Sequence, residues 1–148
     1  MSDTEERELA ISLYSRCWEL LETESRTSEG DVELITCALA SRLHWLRAGG
    51  AQEWIISDWM VARAAGAVGA TDLALVFAQR ANDAVTLSDF PDWLVASTAE
   101  GVARAYGEDG HSEEFASWSL KAQRLIEIIV DDDDRALIAS QFAQARLA

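Results

Sequence analysis

The sequence predicts an all-α protein of about seven helices in stacked antiparallel hairpins, and three observations carry that reading. Apolar residues recur at three- and four-residue spacing in about seven segments separated by Gly, Ser, Asp or Pro. Ala, Leu, Glu and Arg recur throughout and Pro91 is the single proline, a mix that favours helix because unbranched side chains lose little rotamer freedom there. Short alternating Val/Ile/Thr runs closed by turn dipeptides, the mark of strands, are missing. The third observation is an internal repeat. A shift of 41 residues places VARAAGAVG (61–69) on VARAYGEDG (102–110), with six of nine positions identical.

The same register runs on into the following segments, setting Thr71 on Ser112, Asp72 on Glu113, Arg80 on Lys121 and Ala81 on Ala122. Chance likeness in an alanine-rich chain would not keep turn glycine, cap, basic residue and packing alanine together. A unit of two helices that cannot bury its own apolar face must stack on its neighbours. The expected organisation is one domain, with hairpins at 1–48, 49–90 and 91–131 and a capping helix at 132–148.

Taken in order, the first stripe is Leu9, Leu13, Cys17 and Leu20, with Tyr14 and Trp18 beside it. TESRTSEGD then reads as a polar turn in which Ser28 and Asp31 offer a capping-box-like start. Ile35, Leu39, Leu43 and Leu46 form the second stripe, ended by Gly49 and Gly50. The third helix is expected from about Gln52 to Val68, and the fourth carries Leu73, Phe77, Ala81 and Ala84. Pro91 suits the first turn of a fifth helix with Val95, Ala99, Val102 and Tyr106, because its missing N–H costs nothing there. Ser112 can cap the sixth, whose stripe is Phe115, Trp118, Ala122, Leu125 and Ile129. The acidic run 131–134 precedes a short last helix with Ile138, Phe142 and Ala145. Its polar Gln141, Gln144 and Arg146 are expected to face water.

Length and composition set limits on function. The 148 residues suffice for one domain with a real core. A net charge of −14, from 26 acidic against 12 basic residues, disfavours nucleic acid and anionic lipid as partners and keeps an alanine-rich domain soluble. Cys17 and Cys37 belong to no C-x-x-C pair and read as buried structural thiols. The start, MSDTEERE, lacks the basic and then apolar pattern of a signal peptide, and Asp58 and Arg63 interrupt the most apolar region. A cytoplasmic protein is expected.

With those residues in place, the chain resembles a known family. GATDLALVFAQRA (69–81) looks like the second half of a tetratricopeptide (TPR) unit, with a turn glycine and alanines seven apart at Ala74 and Ala81. In the next unit Ala103, Tyr106, Gly110 and Ala122 fall where TPR motifs place a small residue, a tyrosine, the turn glycine and the second alanine. Phe115, Ala99, Asp58, Thr86 and Glu127 depart from that pattern, and the period exceeds the usual TPR by about two helical turns. As a whole the chain resembles small bacterial TPR-like proteins of uncharacterised function, a likeness that implies a right-handed superhelix and adds nothing about activity. HEAT-like hairpins are the alternative geometry.

The candidate site follows from the repeat together with that resemblance. Arg63 and Arg104 occupy equivalent places in two first helices, and the first helices of TPR units line a concave groove. Both guanidiniums would then stand on one wall, where a planar arginine can take a carboxylate bidentately. The competing reading pairs them with Asp58, Glu100 or Glu108 as helix braces. Trp59 lies one turn before Arg63 and can share its face, and aromatic beside arginine is a common binding composition. Arg63, Arg104, Trp59 and Glu100 are thus the expected partner-binding residues. Trp118 and most of the other tryptophans are expected in the core.

No catalytic, metal or cofactor site is expected. G-x-S-x-G, a P-loop, a dinucleotide fingerprint and H-E-x-x-H are all absent. His44 reads as a helix-end residue and His111 as a solvated turn. The run 131–134 lacks the alternation and glycine of a calcium loop, and its carboxylates suit a helix start. The expectation is a non-enzymatic interaction module for a protein or peptide partner. A homodimeric scaffold, or a small-molecule sensor using the tryptophan-rich groove, is the alternative.

Overall fold

The computed structural model describes residues 1–148 and contains seven helices and no strand. They are α1 (Asp3–Leu21), α2 (Ser28–Ala48), α3 (Ala51–Ala67), α4 (Thr71–Ala84), α5 (Asp92–Glu108), α6 (Ser112–Glu127) and α7 (Asp132–Phe142). No helix is long and apolar enough to cross a membrane.

Local chemistry explains the helix ends. Ser2 and Glu5 close a capping box at the start of α1. Gly69 and Gly110, matched by the 41-residue shift, take φ of 85° and 75° at the ends of α3 and α5. Only glycine adopts that left-handed region without strain, and it lets each helix close with a bond five residues back. Ala70 N donates to the Ala65 carbonyl at 2.8 Å, and His111 N to that of Tyr106 at 3.0 Å. In the last helix the Asp131 carboxylate accepts from Asp134 N at 2.9 Å, and Asp132, Asp133 and Asp134 fill a first turn where negative charge is favoured.

Three expected caps shift by one residue. Thr27, not Ser28, caps α2, its hydroxyl accepting from Gly30 N at 3.0 Å. Pro91 precedes α5 as its N-cap, in extended conformation at ψ 147°, and its carbonyl accepts from Leu94 N and Val95 N. His111 takes the N-cap of α6 and Ser112 becomes its first helical residue, because the glycine turn closes one residue earlier than the serine requires.

Consecutive helices pack pairwise, α1 on α2, α3 on α4 and α5 on α6, and the pairs join through α2–α3, α4–α5, α1–α3 and α3–α5. The largest core cluster unites α1 to α5 around Leu34, Met60, Val61 and Leu94. A second is nearly all alanine, with Ala62, Ala65, Ala74, Ala78 and Ala105 around Val102, so α3, α4 and α5 can approach closely. Ile126, Ile129 and Ile138 hold α7 to the third pair.

The second stripe is a correction. α2 buries Leu34, Cys37, Ala38, Ser41 and Trp45, whereas Leu39, Leu43 and Leu46 stand 42 to 47 % exposed. Two apolar faces compete on this helix, and the face carrying Trp45 and the small residues fits against α1. The Ser41 hydroxyl settles there by donating to the Ala10 carbonyl at 2.8 Å.

Candidate functional site

The 41-residue register brings three equivalent residues of α1, α3 and α5 into one ladder: Trp18, Trp59 and Glu100. The Trp18 and Trp59 rings lie 5.9 Å apart between centroids. Trp59 Nε1–H then donates to Glu100 Oε1 at 3.0 Å and to the Ser97 carbonyl at 3.1 Å. Gly101 leaves room for the indole, since a Cβ there would stand 3.0 Å from Trp59 Cδ1.

Glu100 is fully buried and forms an ion pair with Arg104, one turn along α5. The Trp59 N–H on one oxygen and the Arg104 guanidinium on the other thus satisfy a carboxylate that is cut off from water. Arg63 has no such anion. Its guanidinium lies over Trp18 and Trp59, 5.4 and 5.8 Å from their centroids, a cation–π arrangement.

The end of the chain lies against this wall. Arg104 Nη2 donates to the Gln141 carbonyl at 2.8 Å, and Arg63 Nη2 to the Gln144 side-chain oxygen. Beyond α7 the Ala148 N–H donates to the Gly107 carbonyl at 2.7 Å. Gly107 must be glycine for this approach, because a Cβ would meet the Arg146 carbonyl and stand 2.7 Å from Phe115. Gln144 and Arg146 stay exposed as expected, although the Gln144 side chain reaches Arg63, whereas Gln141 is half-buried and meets Arg104 through its backbone carbonyl. A cavity of about 190 Å³ remains beside them, lined by Tyr14, Ile56, Trp59, Trp93, Leu94 and Leu137 among others.

Burial shapes the charges. It pushes Arg63 down to about 10, with the nearby Arg104 adding to the effect, and the side chain stays cationic at neutral pH. Burial likewise raises Glu108 to about 6, against the pull of Arg104 and Arg63. Arg63 Nη1, Arg104 Nε and Glu108 Oε2 are buried without a hydrogen-bond partner in the protein. This arrangement can orient carbonyl, amide or carboxylate oxygens laid along it.

The four expected site residues thus come together on one wall. Trp59, Glu100 and Arg104 are buried there and Arg63 is half-buried, so α7 and the residues after it cover the groove expected to be accessible. Of the acids weighed as braces, Glu100 takes Arg104, whereas Asp58 binds Arg42 at 2.6 Å and Arg80 at 3.6 Å. Sequence reasoning passed over Trp18, Gln141, Gln144 and Gly107. Trp18 was findable, since it sits one repeat before Trp59.

The remaining candidates have local partners. His44, expected to serve the helix end, pairs with buried Glu6, and this hydrogen bond holds the Glu6 carboxyl below its usual range. His111 meets Asp109 at 2.7 Å. Cys17 and Cys37 are free and buried, and burial pushes the Cys17 thiol up to about 12, which keeps it protonated. No group of three or more His, Cys, Asp or Glu side chains is arranged to hold a metal ion. No family model, curated protein or solved structure matches the chain.

Proposed function

We propose that the protein is a non-enzymatic, TPR-like interaction module whose α1–α3–α5 wall receives a helical or extended segment of a partner protein. The observation that carries this reading is that the wall already receives such a segment. The chain's own residues 141–148 present a carbonyl to Arg104 and a side-chain amide to Arg63. A partner offering oxygens at those two points, and an apolar side chain for the cavity between Tyr14 and Trp93, would satisfy the same groups. Affinity comes from apolar burial, and the arginines set register.

The small-molecule alternative has less support, because a cavity of about 190 Å³ falls below the ~300–1,000 Å³ of ordinary ligand pockets. The test is affinity capture from a lysate of the source organism with three forms: the natural chain, the chain lacking residues 143–148, and that shortened chain with Arg63→Glu. A protein retained best by the shortened chain and lost with Arg63→Glu is the expected outcome. An identical set on all three would reject the groove as the binding site.

A further inference from the structure

The outer face of α2 carries a second pattern. Val32, Thr36, Leu39, Leu43 and Leu46 follow one another at alternating spacings of four and three residues, and all five are exposed. That is the a/d seam of a two-stranded coiled coil. Val32, Leu39, Leu43 and Leu46 are 58, 42, 47 and 44 % exposed. The residues at the b, c and f places of the same heptads are Leu34, Cys37, Ala38, Ser41 and Trp45, and these are the ones turned into the protein's own core. α2 is therefore apolar on two opposite sides, and a helix apolar all round belongs inside an assembly. Within the chain α2 packs on α1 and α3, and Arg42 reaches the Phe77 ring of α4, while the seam residues stay exposed. Thr36 is ready for burial, since its hydroxyl already donates to the Val32 carbonyl at 2.7 Å.

We propose that α2 pairs antiparallel with α2 of a second copy of this chain, forming a symmetric dimer. Charge selects both the occupant and the direction. Residues 34–52 contain no acid at all, in a chain with 26, while the first turns of α2 carry Glu29, Asp31 and Glu33. The basic end holds Arg42 and Arg47. An antiparallel pair sets the acidic end of each helix on the basic end of the other, whereas a parallel pair sets like on like. When Leu39 lies opposite Leu43 of the second copy and Thr36 opposite Leu46, the flanking e positions bring Glu33 beside Arg47 across the interface. Those two side chains are 44 and 54 % exposed, and pairing across the interface exchanges their present bonds to Arg16 and Glu6 for each other. The two Arg42 side chains approach the twofold axis, each neutralised by its own Asp58 at 2.6 Å. This surface is separate from the α1–α3–α5 wall and does not depend on how that wall is used.

Light scattering or sedimentation equilibrium between about 1 and 100 µM tests it on the full chain, in the range where reversible dimers form. The expected mass is twice the 16.3 kDa of one chain. Leu39→Glu with Leu43→Glu is expected to give the single-chain mass with unchanged helicity, because both positions face solvent within the chain, and a melting temperature that no longer rises with protein concentration. Arg47→Glu or Glu33→Arg alone is expected to weaken the dimer about tenfold, since symmetry counts each lost pair twice. The two together restore it to within about threefold, with the pair reversed. A single-chain mass at the highest concentration overturns the proposal. So does a dimer that survives the leucine changes, or single charge reversals that the double reversal fails to repair. Leu39→Ala with Leu43→Ala gives the same reading should the glutamates disturb folding.

Discussion

Trp59 and Glu100 stand one 41-residue repeat apart and touch, the indole N–H donating to the Glu100 carboxylate at 3.0 Å inside the core. A residue of one unit thereby satisfies its own counterpart in the next. The repeat seen in the sequence is thus also a contact between stacked units, and this contact fixes the wall on which Arg63 and Arg104 sit.

Trp59→Phe keeps the ring and removes the donor. It leaves a buried carboxylate oxygen and the Ser97 carbonyl without this partner, which costs about 1–3 kcal/mol. Urea unfolding followed by circular dichroism measures the loss.

The two repeat-equivalent arginines should differ sharply. Arg104→Ala strands the fully buried Glu100 and is expected to cost about 3–5 kcal/mol. Arg63→Ala loses stacking on two tryptophans and a bond to Gln144, about 1 kcal/mol. Equal losses in parallel denaturation curves would contradict the assignment of Arg104 as brace and Arg63 as contact residue.

Glu108 gives a pH signature. Its folded value of about 6 lies above the ordinary 4.5, so the folded state holds the proton more tightly than the unfolded chain. The stability this proton contributes is fully present below pH 4.5 and is lost as pH rises through 6. Full burial would make the loss about 2 kcal/mol, and partial solvent access reduces it to about 1 kcal/mol. Glu108→Gln should therefore gain stability relative to the natural chain between pH 4.5 and 7, as read from melting temperatures across that range.

Two kinds of glycine should respond differently to alanine. Gly110→Ala meets no neighbouring atom and pays only for its positive φ, about 1 kcal/mol. At Gly101 the new methyl presses on an indole held by two hydrogen bonds, and about 1–3 kcal/mol is expected. Calorimetry of the two variants checks the order.

What the sequence made legible was local or repeated. The seven helices followed from periodicity, and the turns at Gly69 and Gly110 from the left-handed backbone that glycine alone takes freely. The wall was legible because a shift of 41 residues set Arg63 over Arg104. Its covering was not. Gln141, Gln144 and Arg146 look like surface residues, and only the long-range docking of α7 on α5 brings the Gln141 carbonyl to Arg104 and the exposed Gln144 side chain to Arg63. On α2 periodicity pointed to the wrong face because both faces are apolar. The choice between them rests on the fit of Trp45, Cys37 and Ser41 against α1, which spacing alone does not encode.

The proposed segment-binding wall of α1, α3 and α5 is held by the chain's own end. Amide hydrogen exchange of the full chain, with and without Arg63→Ala, tests it most directly. An 11-residue helix has little stability alone, so protection of residues 137–148 would report its docking on the wall. Slow exchange is expected there in the natural chain, and faster exchange confined to that segment in the variant. Free-chain exchange of residues 137–148 in the natural protein would contradict it.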